Sequence, residues 1–80
     1  MNKLLKHIEF NSRILHGKPV IKGTRISVEI ILKKLSQNIS ADEILTDYPN
    51  LTISDIKAAL AYASELLSTD ELLTISAQIK

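Results

Sequence analysis

Apolar residues between positions 27 and 38 repeat every three to four residues, which predicts a helix with one buried face. Ser27 is the expected N-cap, because its hydroxyl can accept a hydrogen bond from a free backbone N–H of the first turn. Asn38 can adopt the left-handed conformation that ends helices. The positions on the predicted buried face are Val28, Ile31, Leu32 and Leu35.

Two further helices are predicted from their start signals. Ser40 with Glu43, and Thr52 with Asp55, have the three-residue spacing of a capping box. The second helix is expected to end near Tyr48, because the residue before a proline is biased away from helical geometry. The third carries a wide apolar stripe, which favours one side in the core and another against a partner. That stripe comprises Ile53, Ile56, Leu60, Ala63 and Leu67, widened by Ala59, Tyr62 and Leu66.

The chain before the helices is predicted to be extended. Residues 7–10 alternate polar and apolar side chains, as in a half-buried strand, and residues 13–16 are a candidate second strand. Pro19 favours extended geometry around it, and Gly23 is the expected site of a turn. A β-ribbon over roughly residues 7–21 is therefore predicted.

The last residues change period. Leu73, Ile75, Ala77 and Ile79 alternate with polar residues, which favours a strand over a helix. Such a strand could pair with the N-terminal ribbon, with a second subunit or with another protein. Fraying of the terminus is the alternative.

Together these elements predict a mainly α chain with a short N-terminal β-ribbon and a possible C-terminal strand. At 80 residues we expect one domain: residues 1–26 as ribbon and connector, 27–67 as a three-helix core and 68–80 as a tail. The core of so short a chain is marginal, and with no cysteine available we expect a dimer or a partner protein to supply stability. Without a long apolar run or a signal peptide, a cytoplasmic location is expected.

The second and third helices, with the four-residue turn 48–51, have the helix-turn-helix pattern. In that motif the N-terminal part of the later helix enters the DNA major groove. Thr52, Ser54 and Lys57 could contact DNA there, whereas phosphate would repel Asp55. The helix offers no Arg, Asn or Gln for bidentate base reading.

Charge divides the chain in two. Residues 1–34 hold eight basic and two acidic residues, a net charge of +6, while residues 35–80 hold two basic and seven acidic residues, a net charge of −5. The basic half could meet a polyanion or the acidic half of another copy, or the halves could neutralise each other within one monomer. For Arg25 the favoured alternative is an internal contact: an ion pair with Asp47, Asp55 or another acid, or a hydrogen bond to a carbonyl at the C-terminus of a helix. The candidate phosphate contacts are Lys18, Lys22, Arg25, Lys33 and Lys34.

Catalytic, metal and cofactor sites are not expected. Five residues separate Gly17 from Gly23, whereas a phosphate-binding P-loop has four between its glycines, followed by Lys and Ser or Thr. His7 and His16 have no carboxylate at a suggestive spacing, and two histidines without cysteine do not make a structural zinc site. We therefore expect a protein that is not an enzyme.

Two blocks of sequence resemble domain-of-unknown-function family 433. Residues 17–28 read Gly-Lys-Pro-Val-Ile-Lys-Gly-Thr-Arg-Ile-Ser-Val, and residues 41–52 read Ala-Asp-Glu-Ile-Leu-Thr-Asp-Tyr-Pro-Asn-Leu-Thr. The similarity extends over about residues 7–67. His16, Ser27 and Asn38 stand where the family more often has glycine, proline and glycine. The resemblance implies a three-helix homeodomain-like or winged helix-turn-helix bundle, often dimeric.

The same resemblance implies an antitoxin of VapB type, which binds a PIN-like ribonuclease toxin and its own operator DNA. The alternative is a homodimeric protein-interaction module that binds no DNA, which the weak recognition helix favours. RNA binding is disfavoured, because only Phe10, Tyr48 and Tyr62 are available for stacking. The residues expected at a partner or dimer interface are Tyr62, Leu66, Leu73, Ile75 and Ile79.

Overall fold

A computed structural model describes residues 3–68, which are mainly helical with one two-stranded antiparallel sheet. The predicted strand around Leu73, Ile75 and Ile79 lies outside the described residues. Within residues 3–68, no helix has the length and apolar character needed to cross a membrane. The elements in chain order are an N-terminal 3-10 helix Lys3–His7, β1 Ile8–Phe10, a short 3-10 turn Leu15–Gly17, β2 Pro19–Ile21, α1 Val28–Ser36, α2 Ala41–Asp47 and α3 Ile53–Leu67.

The three helices begin where the sequence predicts. The Ser27 hydroxyl accepts from the Ile30 backbone N–H at 3.0 Å, and Thr52 with Asp55 forms a complete capping box. The Ser40 hydroxyl accepts from the backbone N–H of Glu43 at 3.2 Å and donates to the Glu43 carboxylate at 3.4 Å. These bonds satisfy backbone donors that a helix leaves without partners in its first turn.

The end of α1 and the end of α2 are also as predicted. Asn38, two residues after α1, has a φ of 66°, the left-handed geometry that stops the helix. Tyr48 is the C-cap of α2 and directly precedes Pro49. Both breaks are local, so α2 and α3 follow α1 after short connections.

The ribbon is present, but its second strand lies later than residues 13–16. β1 pairs with β2 in antiparallel register, with Ile8 opposite Ile21 and Phe10 opposite Pro19. Leu15 and His16 have φ values of 50° and 58°, which no strand residue adopts. They form a 3-10 turn in which the Gly17 N–H donates to the Ile14 carbonyl at 3.1 Å. The prediction of a strand over 13–16 was therefore wrong, because this segment reverses the chain between the strands.

The core draws on β2 and all three helices. Ile21, Ile31 and Ile44 are fully buried and represent β2, α1 and α2. Ile56 and Ala59 supply the contribution of α3. Packing every helix against the same cluster fixes their mutual orientation and therefore the shape of the surface between them.

The stripe predicted for α3 is only partly its buried face. Ile56 is buried, but Ile53, Leu60 and Leu67 are about half exposed. The N-terminal 3-10 helix packs against α3 on one side and α1 and α2 pack on the other. This places Asp55 and the alanines Ala58 and Ala59 inside, while Ile53, Leu60 and Leu67, seven residues apart, form an exposed stripe.

Candidate functional site

An apolar cavity of about 320 Å³ opens between α1, the start of β2 and the second half of α3. We call it the α3 groove. Apart from one carboxylate at its edge, every side chain in its lining is apolar or aromatic. The lining consists of Pro19, Val28, Glu29, Leu32, Tyr62, Ala63 and Leu66.

The α3 groove exists because the core-facing side of α3 extends past the point where the other elements cover it. Ile56 and Ala59 are buried, and the next residues on that side at helical spacing are Tyr62, Ala63 and Leu66. Exposure rises along this series until Leu66, which is 50% exposed. Among residues 3–68, therefore, the second half of α3 is a core-like surface that is only partly covered.

The rim of the groove carries an aromatic pair and an ion pair. The rings of Phe10 and Tyr62 meet at a centroid distance of 5.9 Å and a tilt of 57°, although Phe10 remains 60% exposed. Lys18 Nζ lies 3.1 Å from the Glu29 carboxylate, and both side chains are exposed. An apolar floor with exposed aromatic and charged edges is typical of protein interfaces.

The sequence-predicted interface residues divide into two groups. Tyr62 and Leu66 both line the α3 groove, so the structure places them together. Leu73, Ile75 and Ile79 lie outside the described residues.

The structure distributes the candidate phosphate contacts over separate surfaces. Lys18 pairs with Glu29 beside the groove, and the Lys34 ammonium lies 5.8 Å from the centre of the Tyr48 ring. The other three candidate phosphate contacts, Lys22, Arg25 and Lys33, are exposed and form no ion pair within residues 3–68. The favoured internal ion pair of Arg25 with Asp47 or Asp55 is thus absent from this part of the chain.

Asp55 instead binds His7, a contact that the sequence did not predict. His7 Nδ1 lies 2.8 Å from Asp55 Oδ1, while Asp55 Oδ2 accepts from the Thr52 backbone N–H at 2.9 Å. Asp55 is only 8% exposed and binds His7, so its carboxylate is not displayed on the surface of α3, where repulsion by phosphate was expected. The spacing of Thr52 and Asp55 identified Asp55 as a helix-capping residue. The contact with His7 could not be identified in this way, because His7 lies 48 residues away in the sequence.

Near the start of α3, the other predicted DNA contacts differ in exposure. Thr52 and Lys57 are exposed, and Ser54 is half-buried. The Thr52 hydroxyl already accepts from the Asp55 backbone N–H at 3.2 Å. Lys57 is therefore the freest of the three to reach a ligand.

A rigid turn joins β2 to α1. The Thr24 hydroxyl donates to the Ile21 carbonyl at 2.8 Å and accepts from the Ile26 backbone N–H at 3.0 Å. Gly23 has a φ of 80°, which strains any residue with a Cβ. The turn predicted at Gly23 is thus held by the Thr24 hydroxyl, which fixes where Lys22 and Arg25 leave the backbone.

Thr24→Val is expected to lower the free energy of unfolding by about 1–2 kcal/mol, because it removes two hydrogen bonds while keeping the side-chain shape. The matched control is Thr46→Val, since the Thr46 hydroxyl is exposed and donates only to the Asp42 carbonyl of its own helix. Its expected cost is below about 0.5 kcal/mol. Urea denaturation measures both variants, and equal costs would contradict a special role for the Thr24 hydroxyl.

Comparison with known proteins gives one family and one solved structure. The family model described as a protein of unknown function (DUF433) matches residues 8–63. The chain is similar to the crystal structure of a DUF433 member protein from Anabaena variabilis ATCC 29413, with 30% sequence identity and a TM-score of 0.71. The match covers 74% of this chain but only 58% of that protein. A search of curated proteins finds no match.

Proposed function

We propose that this chain, which belongs to the DUF433 family of proteins of unknown function, is an antitoxin-like component of a type II toxin–antitoxin module. Its partner in this proposal is a PIN-like ribonuclease toxin, as the resemblance noted above implies. The observation that supports partner binding is the α3 groove, where Tyr62, Ala63 and Leu66 continue the core-facing side of α3 into solvent.

The groove suits a protein partner better than a small polar ligand. Its lining is almost entirely apolar, so binding would gain mainly from removing apolar surface from water. Tyr62 provides the kind of aromatic side chain that dominates interface energetics, and Phe10 extends the aromatic surface beside it. An apolar helix or strand of the partner laid along α3 would complete the cover that residues 3–68 leave unfinished.

The test combines this protein with a PIN-like ribonuclease, the partner that the proposal assigns to it. We expect a stable complex by mass measurement and loss of the partner's ribonuclease activity when this protein is added. A partner that remains active in a saturating excess of this protein, with no complex detected, would contradict the antitoxin role.

Operator DNA is the second ligand that we propose. In this reading α2 and α3 act as a helix-turn-helix, with Lys57 near the DNA, while Lys22, Arg25 and Lys33 neutralise phosphates. The exposed stripe of α3 offers apolar Ile53 rather than a base-reading side chain. Phosphate contacts would therefore supply most of the affinity.

The double variant Lys22→Gln/Arg25→Gln is expected to reduce the salt dependence of DNA binding. Each lost phosphate contact makes the negative slope of log K against log salt shallower by about 0.9. The double variant should therefore make it shallower by about 1.8. Lys18→Gln is the control, because Lys18 is paired with Glu29. Fluorescence anisotropy with promoter DNA at several salt concentrations measures the slopes; a larger change for Lys18→Gln would exclude the assigned surface.

A homodimeric interaction module without DNA binding is the second candidate. The exposed stripe of Ile53, Leu60 and Leu67 favours it, since apolar side chains there suit a protein surface better than the major groove. A dimer by mass measurement, with no binding to promoter DNA at low salt, would support this candidate over the DNA-binding one.

A further inference from the structure

We propose that Lys6, His7 and Lys22 form a binding pocket for a phosphate group. These residues line an open cavity of about 310 Å³ beside the N-terminal 3-10 helix. Lys6 and His7 have no part in the function proposed above, and the pocket does not share a lining residue with the α3 groove.

Within residues 3–68 the lining of this pocket is basic, and the carboxylate that His7 binds, that of Asp55, pairs with neither lysine. The lining contains two ammonium groups and an imidazole, and no carboxylate of residues 3–68 is among the lining residues. Lys6 and Lys22 are exposed and form no ion pair within the described part of the chain. Bringing like charges together in one concavity is unfavourable, and an anion placed between them reverses that energy.

The imidazole is held in a fixed orientation by a carboxylate behind it. Asp55 Oδ1 lies 2.8 Å from His7 Nδ1, and the backbone N–H of Thr52 fixes the other oxygen of Asp55. An ionised carboxylate can only accept, so Nδ1 carries a hydrogen. The other ring nitrogen, Nε2, is then available to a ligand.

Lys22 is positioned against His7 through the backbone. Its N–H donates to the His7 carbonyl at 2.7 Å, at the point where the ribbon ends. The turn that follows is held by the Thr24 hydroxyl. The two residues are therefore adjacent for structural reasons, and only the lysine side chains must be ordered when the ligand binds.

The cavity volume fits a phosphate with part of its attached group. Sites for small molecules usually have volumes of about 300–1,000 Å³, and this pocket lies at the lower end. The recognised chemistry is the phosphate oxygens, whether they belong to a nucleic-acid backbone or to a free phosphate ester.

The experiment is a titration of the full chain with sodium phosphate at constant ionic strength, followed by amide and imidazole NMR signals. We expect saturable shifts centred on Lys6, His7 and Lys22. Lys22→Gln should raise the apparent Kd for phosphate about three- to tenfold, as expected for the loss of one charge-assisted hydrogen bond. Arg13→Gln, which removes one positive charge from an exposed position outside the pocket lining, should leave the Kd unchanged. Lys6→Gln provides a second pocket variant.

Two further ligands identify the source of the phosphate. If duplex DNA shifts the same signals and displaces phosphate, the ligand is the nucleic-acid backbone; if only phosphate or a nucleoside monophosphate does so, it is a free phosphate ester. Chemical shift changes that never saturate, or equal losses of affinity in Lys22→Gln and Arg13→Gln, would overturn the pocket. Leu66→Glu alters the α3 groove and should leave phosphate binding unchanged. A loss of partner binding can therefore be distinguished from a loss of phosphate binding.

Discussion

If the proposed PIN-like toxin binds the α3 groove, Leu66→Glu is expected to weaken that binding roughly 100-fold, equivalent to about 3 kcal/mol. Leu66 lines the α3 groove and is 50% exposed in the single chain, so a partner seated there would bury it. A glutamate at this position would have to leave water without a compensating cation, which costs several kcal/mol in an apolar contact. Titration calorimetry with the PIN-like partner measures the effect.

Leu60→Glu is the matched control for this prediction. Leu60 lies on the same helix, is the same residue type and is 48% exposed, but it belongs to the outward stripe rather than to the groove. Both positions are exposed, so each variant should change the free energy of unfolding by less than about 0.5 kcal/mol. If Leu60→Glu weakens the complex and Leu66→Glu does not, the partner binds the outward stripe and the α3 groove is not its site.

The same pair of variants separates the two proposed functions. Self-association measured by sedimentation should respond to Leu60→Glu if the stripe of Ile53, Leu60 and Leu67 forms a homodimer. Partner binding should respond to Leu66→Glu alone. Because the stripe and the α3 groove have no residue in common among residues 3–68, the proposed dimer and the proposed toxin complex can be tested separately.

The helix boundaries could be predicted because their causes are local. Ser27, Ser40 and Thr52 each bond to a residue three positions later, so residue type and spacing identify them. Asn38 similarly needs only its own backbone preference to stop α1. The family resemblance was identified from residues in these same connections and was confirmed by the match over residues 8–63.

The faces of α3 could be predicted only in part, because periodicity gives angles around a helix and not its neighbours. Tyr62 and Leu66 were expected at an interface and do line the groove. Leu60 and Ile53 were counted in the same stripe, yet they face outward since the N-terminal 3-10 helix occupies the side that contains Ala58. The position of that 3-10 helix depends on contacts far apart in sequence, which a spacing rule does not detect.

The contact between His7 and Asp55 is the clearest example of such a long-range cause, and Asp55→Ala should remove it at high cost. We expect the free energy of unfolding to fall by about 3 kcal/mol, with about 1 kcal/mol from the lost cap and the remainder from the buried hydrogen bond to His7. For a domain of this size, Tm should fall by about 15 °C. Thermal and urea unfolding measure the two quantities.

Asp42→Ala is the control. It measures the stability that an exposed acidic residue contributes in the first turn of a helix through capping and through the helix dipole. Asp42 is exposed at the start of α2, and its loss should cost no more than about 0.5 kcal/mol. A cost for Asp55→Ala that does not exceed this value would show that the pair with His7 contributes no stability.

A double-mutant cycle of His7→Ala and Asp55→Ala isolates the pair itself. We expect a coupling energy of about 1–2 kcal/mol, because the residues share a hydrogen bond at 2.8 Å and Asp55 is buried. His7 ends the N-terminal 3-10 helix, so amide exchange should accelerate in residues 3–7 in either single variant. Additive costs with unchanged exchange would mean that apolar packing alone, without this hydrogen bond, holds the 3-10 helix against α3.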